Sequence, residues 1–165
     1  MTWSLSKAGL TVWEASSVGL RQIGPEVTSI TSEQFEYPVL RAGIGGQILL
    51  SALEKGSDSE VLLRLSVDGK GWTRSNLLRL TRKERPANPA VNGVLGLGYS
   101  AKGTLLVAYT TGSKSEFAIS EFDAKGQEIG KTRKINHFWE TLTEVSRVEI
   151  VDALGVLHVF PYIMR

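Results

Sequence analysis

Apolar positions in this chain come in short runs, cut by glycine, asparagine, aspartate and serine, and no 3.6-residue period is sustained. Runs of this length, rich in valine, isoleucine, leucine, tyrosine and threonine, are read as strands. Four of them occupy residues 37–42, 47–53, 60–66 and 72–80, and four more occupy 94–99, 104–110, 115–122 and 128–135. The pattern predicts two further strands at 147–151 and 156–160, two at the start of the chain at 2–6 and 10–15, and one helical turn within 137–145. The predicted fold class is all-β.

A repeat organises these strands. The segment from Gly46 to Trp72 aligns with that from Gly103 to Gln127. In both, a glycine opens a strand and a Gly-Ser turn follows, Gly56-Ser57-Asp58 in one and Gly112-Ser113-Lys114 in the other. A second strand then leads to an Asp-x-Lys-Gly turn, Asp68-Gly69-Lys70-Gly71 or Asp123-Ala124-Lys125-Gly126. A third copy opens at Asp152-Ala153-Leu154-Gly155 and stops half-way, while the stretch from Trp3 to Trp13 resembles its missing second half. The period of about 55 residues falls in the range of four-stranded propeller blades.

The expected architecture is one domain over residues 1–165, half of a β-propeller built from four-stranded antiparallel blades. Residues 35–80 and 93–135 make one blade each, 146–162 supply the inner strands of a shared blade, and 1–16 supply its outer strands. Three blade-equivalents cannot close a ring, because propellers close with about 4–8 blades. Two copies give six blades with two-fold symmetry, so a homodimer is expected, the C-terminal half-blade of one chain pairing with the N-terminal strands of the other. The alternatives are a ring completed by a different polypeptide, or a single sandwich or barrel.

Composition narrows the picture further. With 165 residues and 42% hydrophobic positions the chain is large enough to bury a core. A net charge of +2 forces no anionic partner, and the absence of cysteine excludes disulfides and thiolate chemistry. The apolar runs fall far short of the roughly 20 residues needed to cross a bilayer. The start of the chain lacks the basic and apolar stretches of a signal peptide, so no membrane partner is expected and a cytoplasmic location is the default.

The stretch Ser66-Val67-Asp68-Gly69-Lys70-Gly71-Trp72-Thr73 resembles the Asp-box of sialidase-like propellers, and Phe122-Asp123-Ala124-Lys125-Gly126 resembles a degraded copy. The resemblance implies structural roles in the outer turns: Asp68 and Asp123 accept backbone N–H groups, Gly69, Gly71 and Gly126 supply unusual backbone angles, and Trp72 packs between strands. Sialidases also carry a Tyr-Arg-Ile-Pro element whose arginine holds the substrate carboxylate. Here Phe35-Glu36-Tyr37-Pro38 stands in that place, and Glu36 would repel a carboxylate. A non-catalytic member of the family is therefore expected. Glycoside hydrolysis, which needs two facing carboxylates, has only Glu36, Glu140, Glu144, Glu149 and Asp152 to draw on.

Ligand chemistry is expected on the long loops at one end of the blades, residues 16–34, 81–92 and 136–146, together with 54–59 and 111–115. His137, Trp139 and Glu140 combine aromatic faces with a carboxylate, which suits a glycan. Arg82 and Arg85 make a basic loop that suits phosphate or an acidic partner. That loop contains Glu84 and no interleaved aromatic residue, so nucleic acid is not expected. His137 and His158 lie far apart with no cysteine, and neither glycine-rich stretch leads into a helix, so no metal or nucleotide cofactor is expected. The resulting expectation is a dimeric module that binds a glycan without catalysis, with a protein-interaction scaffold as the alternative.

Overall fold

The computed structural model describes residues 1–68, 71–85, 93–113, 116–136, 144–151 and 156–162, with the backbone alone for Asp68 and for the last two segments. Its sheets are all antiparallel, and a 3-10 turn at Ile44–Gly46 is its helical element among the described residues. The chain divides into two compact units, Met1–Arg79 and Leu80–Arg165.

In the first unit, β1 (Thr2–Leu5), β2 (Leu10–Ser16) and β3 (Gly19–Gln22) form a three-stranded sheet. A four-stranded meander follows, β4 (Phe35–Ala42), β5 (Ile48–Glu54), β6 (Ser59–Asp68) and β7 (Gly71–Leu80). One face of the meander carries Ile48, Leu50, Ala52, Val61, Leu63 and Leu65, all buried and packed with Leu10 and Val12 of β2 and with Val27, Ile30 and Phe35. The period-two alternation of these strands puts the apolar set on that face, and each fully buried aliphatic side chain contributes about 1.5–3 kcal/mol. Trp3 and Leu5 extend the core along β1.

β3 corrects the expectation of a continuous loop over residues 16–34. Its four residues are all exposed, so no apolar pattern marks it. It forms because Ser16 Oγ accepts the Val18 N–H at 3.3 Å and Gly19 takes a φ of +128°, closing a tight hairpin onto β2.

The second unit repeats the meander with β8 (Val94–Tyr99), β9 (Leu105–Thr110), β10 (Glu116–Phe122) and β11 (Glu128–Asn136), around a core of Leu95, Ala108, Phe117 and Ile119. A hairpin of β12 (Glu144–Val151) and β13 (Val156–Tyr162) forms a separate two-stranded sheet. Of the expected helical turn, Glu144 and Val145 belong instead to β12, and residues 137–143 lie outside the described residues.

One device recurs in the hairpin turns. A serine or aspartate oxygen accepts the backbone N–H two residues on: Ser6 from Ala8 at 3.1 Å, Ser57 from Ser59 at 3.3 Å, Ser100 from Lys102 at 3.2 Å and Asp123 from Lys125 at 2.8 Å. Asp123 also accepts the Gln127 N–H at 2.8 Å, and Gly126 supplies a φ of +84°. These bonds, that from Gln127 foremost, hold the Asp123 carboxyl below its ordinary value.

Candidate functional site

The first strand of the meander is irregular at its beginning. Glu36 pairs with Leu53 and Val39 with Ser51, so β4 carries one residue more than β5 between those pairs. The extra residue is accommodated at Tyr37-Pro38, where Tyr37 has a φ of +49°. Proline withholds a ladder donor and a tyrosine in the left-handed region is strained, two costs that a plain edge strand would avoid. The bulge turns Tyr37 outward, with 48% of its surface exposed.

Beside it opens a cleft of about 450 Å³. Trp3 and Leu5 come from β1, Phe35, Glu36, Tyr37 and Pro38 from β4, Ser32 from the segment before β4, and Lys55 from the turn after β5. Each wall is anchored. Ser32 donates its N–H to Ser6 O at 2.8 Å, and Lys55 donates its N–H to Gln34 O at 2.8 Å. Phe35 is buried, and the Arg74 guanidinium lies 5.7 Å from its ring centroid. Across the mouth, Lys55 Nζ stands 3.3 Å from Glu36 Oε1, each side chain a little under half exposed.

Behind the turn that carries Lys55, Glu54 is gripped by Arg79 through two hydrogen bonds of 2.7 and 3.2 Å and accepts the Ser57 hydroxyl at 2.9 Å. The Arg79 guanidinium, then the Ser57 hydroxyl, lower the Glu54 pKa from its ordinary value. Glu54 therefore fixes the backbone on which Lys55 sits.

The cleft thus brings together aromatic side chains, a carboxylate, an ammonium and a hydroxyl. That combination holds an amphipathic ring through its C–H face and its polar edge. Among the described residues, no three histidine, aspartate or glutamate side chains group as metal ligands do.

His137, Trp139 and Glu140 lie outside the described residues, as do Gly69 and the Asp68 side chain. Gly71 takes a φ of +134°, and Trp72 donates its indole N–H to Pro25 O at 2.6 Å. Arg82 is exposed on a turn closed by Glu84, whose carboxylate accepts the Thr81 N–H at 2.9 Å and the Thr81 hydroxyl at 2.7 Å. Arg85, which ends that turn, is buried, with 9% of its surface exposed. Glu149 stands opposite His158 in the β12–β13 register. Of the described residues considered, Glu36 is the one that lines the cleft.

Ser32 and Lys55 fall within the loops 16–34 and 54–59 marked in the sequence, whereas Trp3 and Tyr37 were not legible as site residues. The available signal was the proline at position 38 inside an apolar run, since proline within a strand marks an edge or a bulge. No protein-family model and no curated protein matches this chain.

Proposed function

We propose that this chain is a non-catalytic binding module of the sialidase-like propeller kind, and that the cleft between β1 and the start of β4 holds a glycan. The observation that carries this reading is the convergence of Trp3, Phe35 and Tyr37 with the Glu36–Lys55 pair around one cleft. The cleft sits where β4 begins and β5 turns into β6, the end of the blade at which the sequence places ligand-bearing loops. It also favours binding over hydrolysis. Among the described residues one carboxylate lines it, and that carboxylate is engaged by Lys55, whereas a glycosidase places two carboxyl groups across the scissile bond.

The propeller reading draws on the two four-stranded meanders of identical strand order, flanked by a lone hairpin, β12–β13, and by β1–β2. In a dimer, β13 of one chain pairs with β1 of the other and completes a shared blade, with β3 as an added outer strand. Light scattering on the isolated chain tests this part: a mass near twice 18.0 kDa supports it and a folded monomer overturns it.

A glycan array tests the binding reading. Retention of a defined set of glycans, lost in Tyr37→Ala, is the expected result, and an array without signal contradicts it. A protein-interaction scaffold is favoured by a different feature, the β2–β3 hairpin, where Val18 is 95% and Leu20 65% exposed.

A further inference from the structure

We infer that Glu36 sets the charge preference of the cleft, making it a site for neutral pyranoses that present two adjacent hydroxyls and excluding sugars that carry a carboxylate. The inference rests on the glycan reading of the cleft. Lys55 Nζ has three N–H donors, and its contact with Glu36 Oε1 at 3.3 Å uses one of them. The carboxylate likewise keeps its second oxygen, and both side chains are more than 40% exposed at the mouth. An incoming ligand therefore meets a donor and an acceptor side by side, about a hydrogen-bond length apart.

Adjacent gauche hydroxyls on a pyranose match that spacing. One donates to the Glu36 carboxylate while its neighbour accepts from Lys55, and both bonds are charge-assisted. The C–H face of the same ring then lies against Tyr37, whose ring the strained bulge holds outward. A ligand carboxylate is drawn to Lys55 but must displace Glu36 or stand beside it, and like charges at that separation oppose binding. Among the described residues Glu36 is the ion-pair partner of Lys55. Removing its charge leaves a cation at the mouth of an aromatic cleft, the arrangement that suits a carboxylate.

The test is calorimetric titration of the purified chain with methyl hexopyranosides and the matching methyl hexopyranosiduronates, on wild type, Glu36→Gln and Lys55→Met. Both positions are exposed, and circular dichroism verifies that the variants fold. Wild type is expected to bind a neutral glycoside at least about tenfold more tightly than its uronate. Glu36→Gln is expected to reverse that order, with uronate affinity rising about a hundredfold and becoming salt-sensitive. Lys55→Met is expected to weaken the neutral sugars and leave no gain for uronates. If wild type binds neutral sugars but Glu36→Gln keeps the wild-type order, the inference is overturned and the glycan reading stands. A wild type that prefers uronates overturns the inference alone. If wild type binds neither class, the glycan reading falls and the inference with it.

Discussion

The indole N–H of Trp72 donates to the carbonyl oxygen of Pro25 at 2.6 Å, joining residues 47 apart in the chain. The bond pins the Gly24-Pro25 corner to β7, next to Val27 and Ile30, which are buried in the core of the first unit. Gly24 has a φ of +66°, and a Cβ there would lie 2.9 Å from Val67 Cγ2 and 3.0 Å from Trp72 Nε1. Trp72→Phe keeps an aromatic ring but removes the donor, and it is expected to cost about 1–2 kcal/mol in urea unfolding. Gly24→Ala is expected to cost more, because strain and overlap act together. A Trp72→Phe variant as stable as wild type would show the bond to be incidental.

Gly112 is bound to its place by a second close approach. It takes a φ of +82°, and a Cβ would overlap the Lys83 carbonyl oxygen, so the turn at 81–85 packs directly on its backbone. Gly112→Ala is expected to destabilise the chain by about 2–4 kcal/mol. Gly56, with a similar φ of +81° and open space around it, is the control, and Gly56→Ala is expected to cost about 1 kcal/mol. Thermal unfolding of the two variants compares steric overlap with backbone strain alone.

Acid weakens the Glu54 anchor in a direction fixed by its pKa. Its folded value is lowered by Arg79 and Ser57, so the folded state binds the proton less readily than the unfolded chain does. The contribution is complete above the ordinary glutamate value of the unfolded chain and is lost as pH falls through the lower folded value. Because the pair is partly exposed, its worth is within about 1 kcal/mol. Unfolding measured between pH 7 and pH 2 is expected to show a shallower acid loss in Glu54→Gln than in wild type.

The bulge at Tyr37 sets stability against binding. Glycine adopts a φ of +49° without strain, so Tyr37→Gly is expected to hold or raise stability by up to about 1 kcal/mol. The same change removes the exposed ring and is expected to abolish ligand retention, whereas Tyr37→Phe is expected to preserve it. A Tyr37→Gly chain that retains ligand would show that the ring has no part in recognition.

The strands of both meanders were legible because each carries an alternating or continuous apolar run bounded by turn residues with a mechanical role. β8 was expected at 94–99 and spans Val94–Tyr99; β5 was expected at 47–53 and spans Ile48–Glu54. Asp123 marked its turn through a short carboxylate that reaches the backbone two residues on. β3 was invisible because its four exposed residues owe their strand to the ladder with β2. The cleft was illegible for a related reason. Trp3, Ser32 and Lys55 are far apart in sequence, and the folding of β1 onto the meander brings them together. Glu36 was visible because it stands where the sialidase element that this stretch resembles carries an arginine, yet nothing in the sequence paired it with Lys55.

Amide chemical-shift mapping on isotope-labelled protein, titrated with the neutral glycosides that the array retains, tests the central claim most directly. Perturbations centred on Trp3, Ser32 to Tyr37 and Lys55, absent in Tyr37→Ala, are the expected result. Perturbations centred instead on the turn at 81–85 or the hairpin around Val18, with the cleft unmoved, would contradict the assignment of the site.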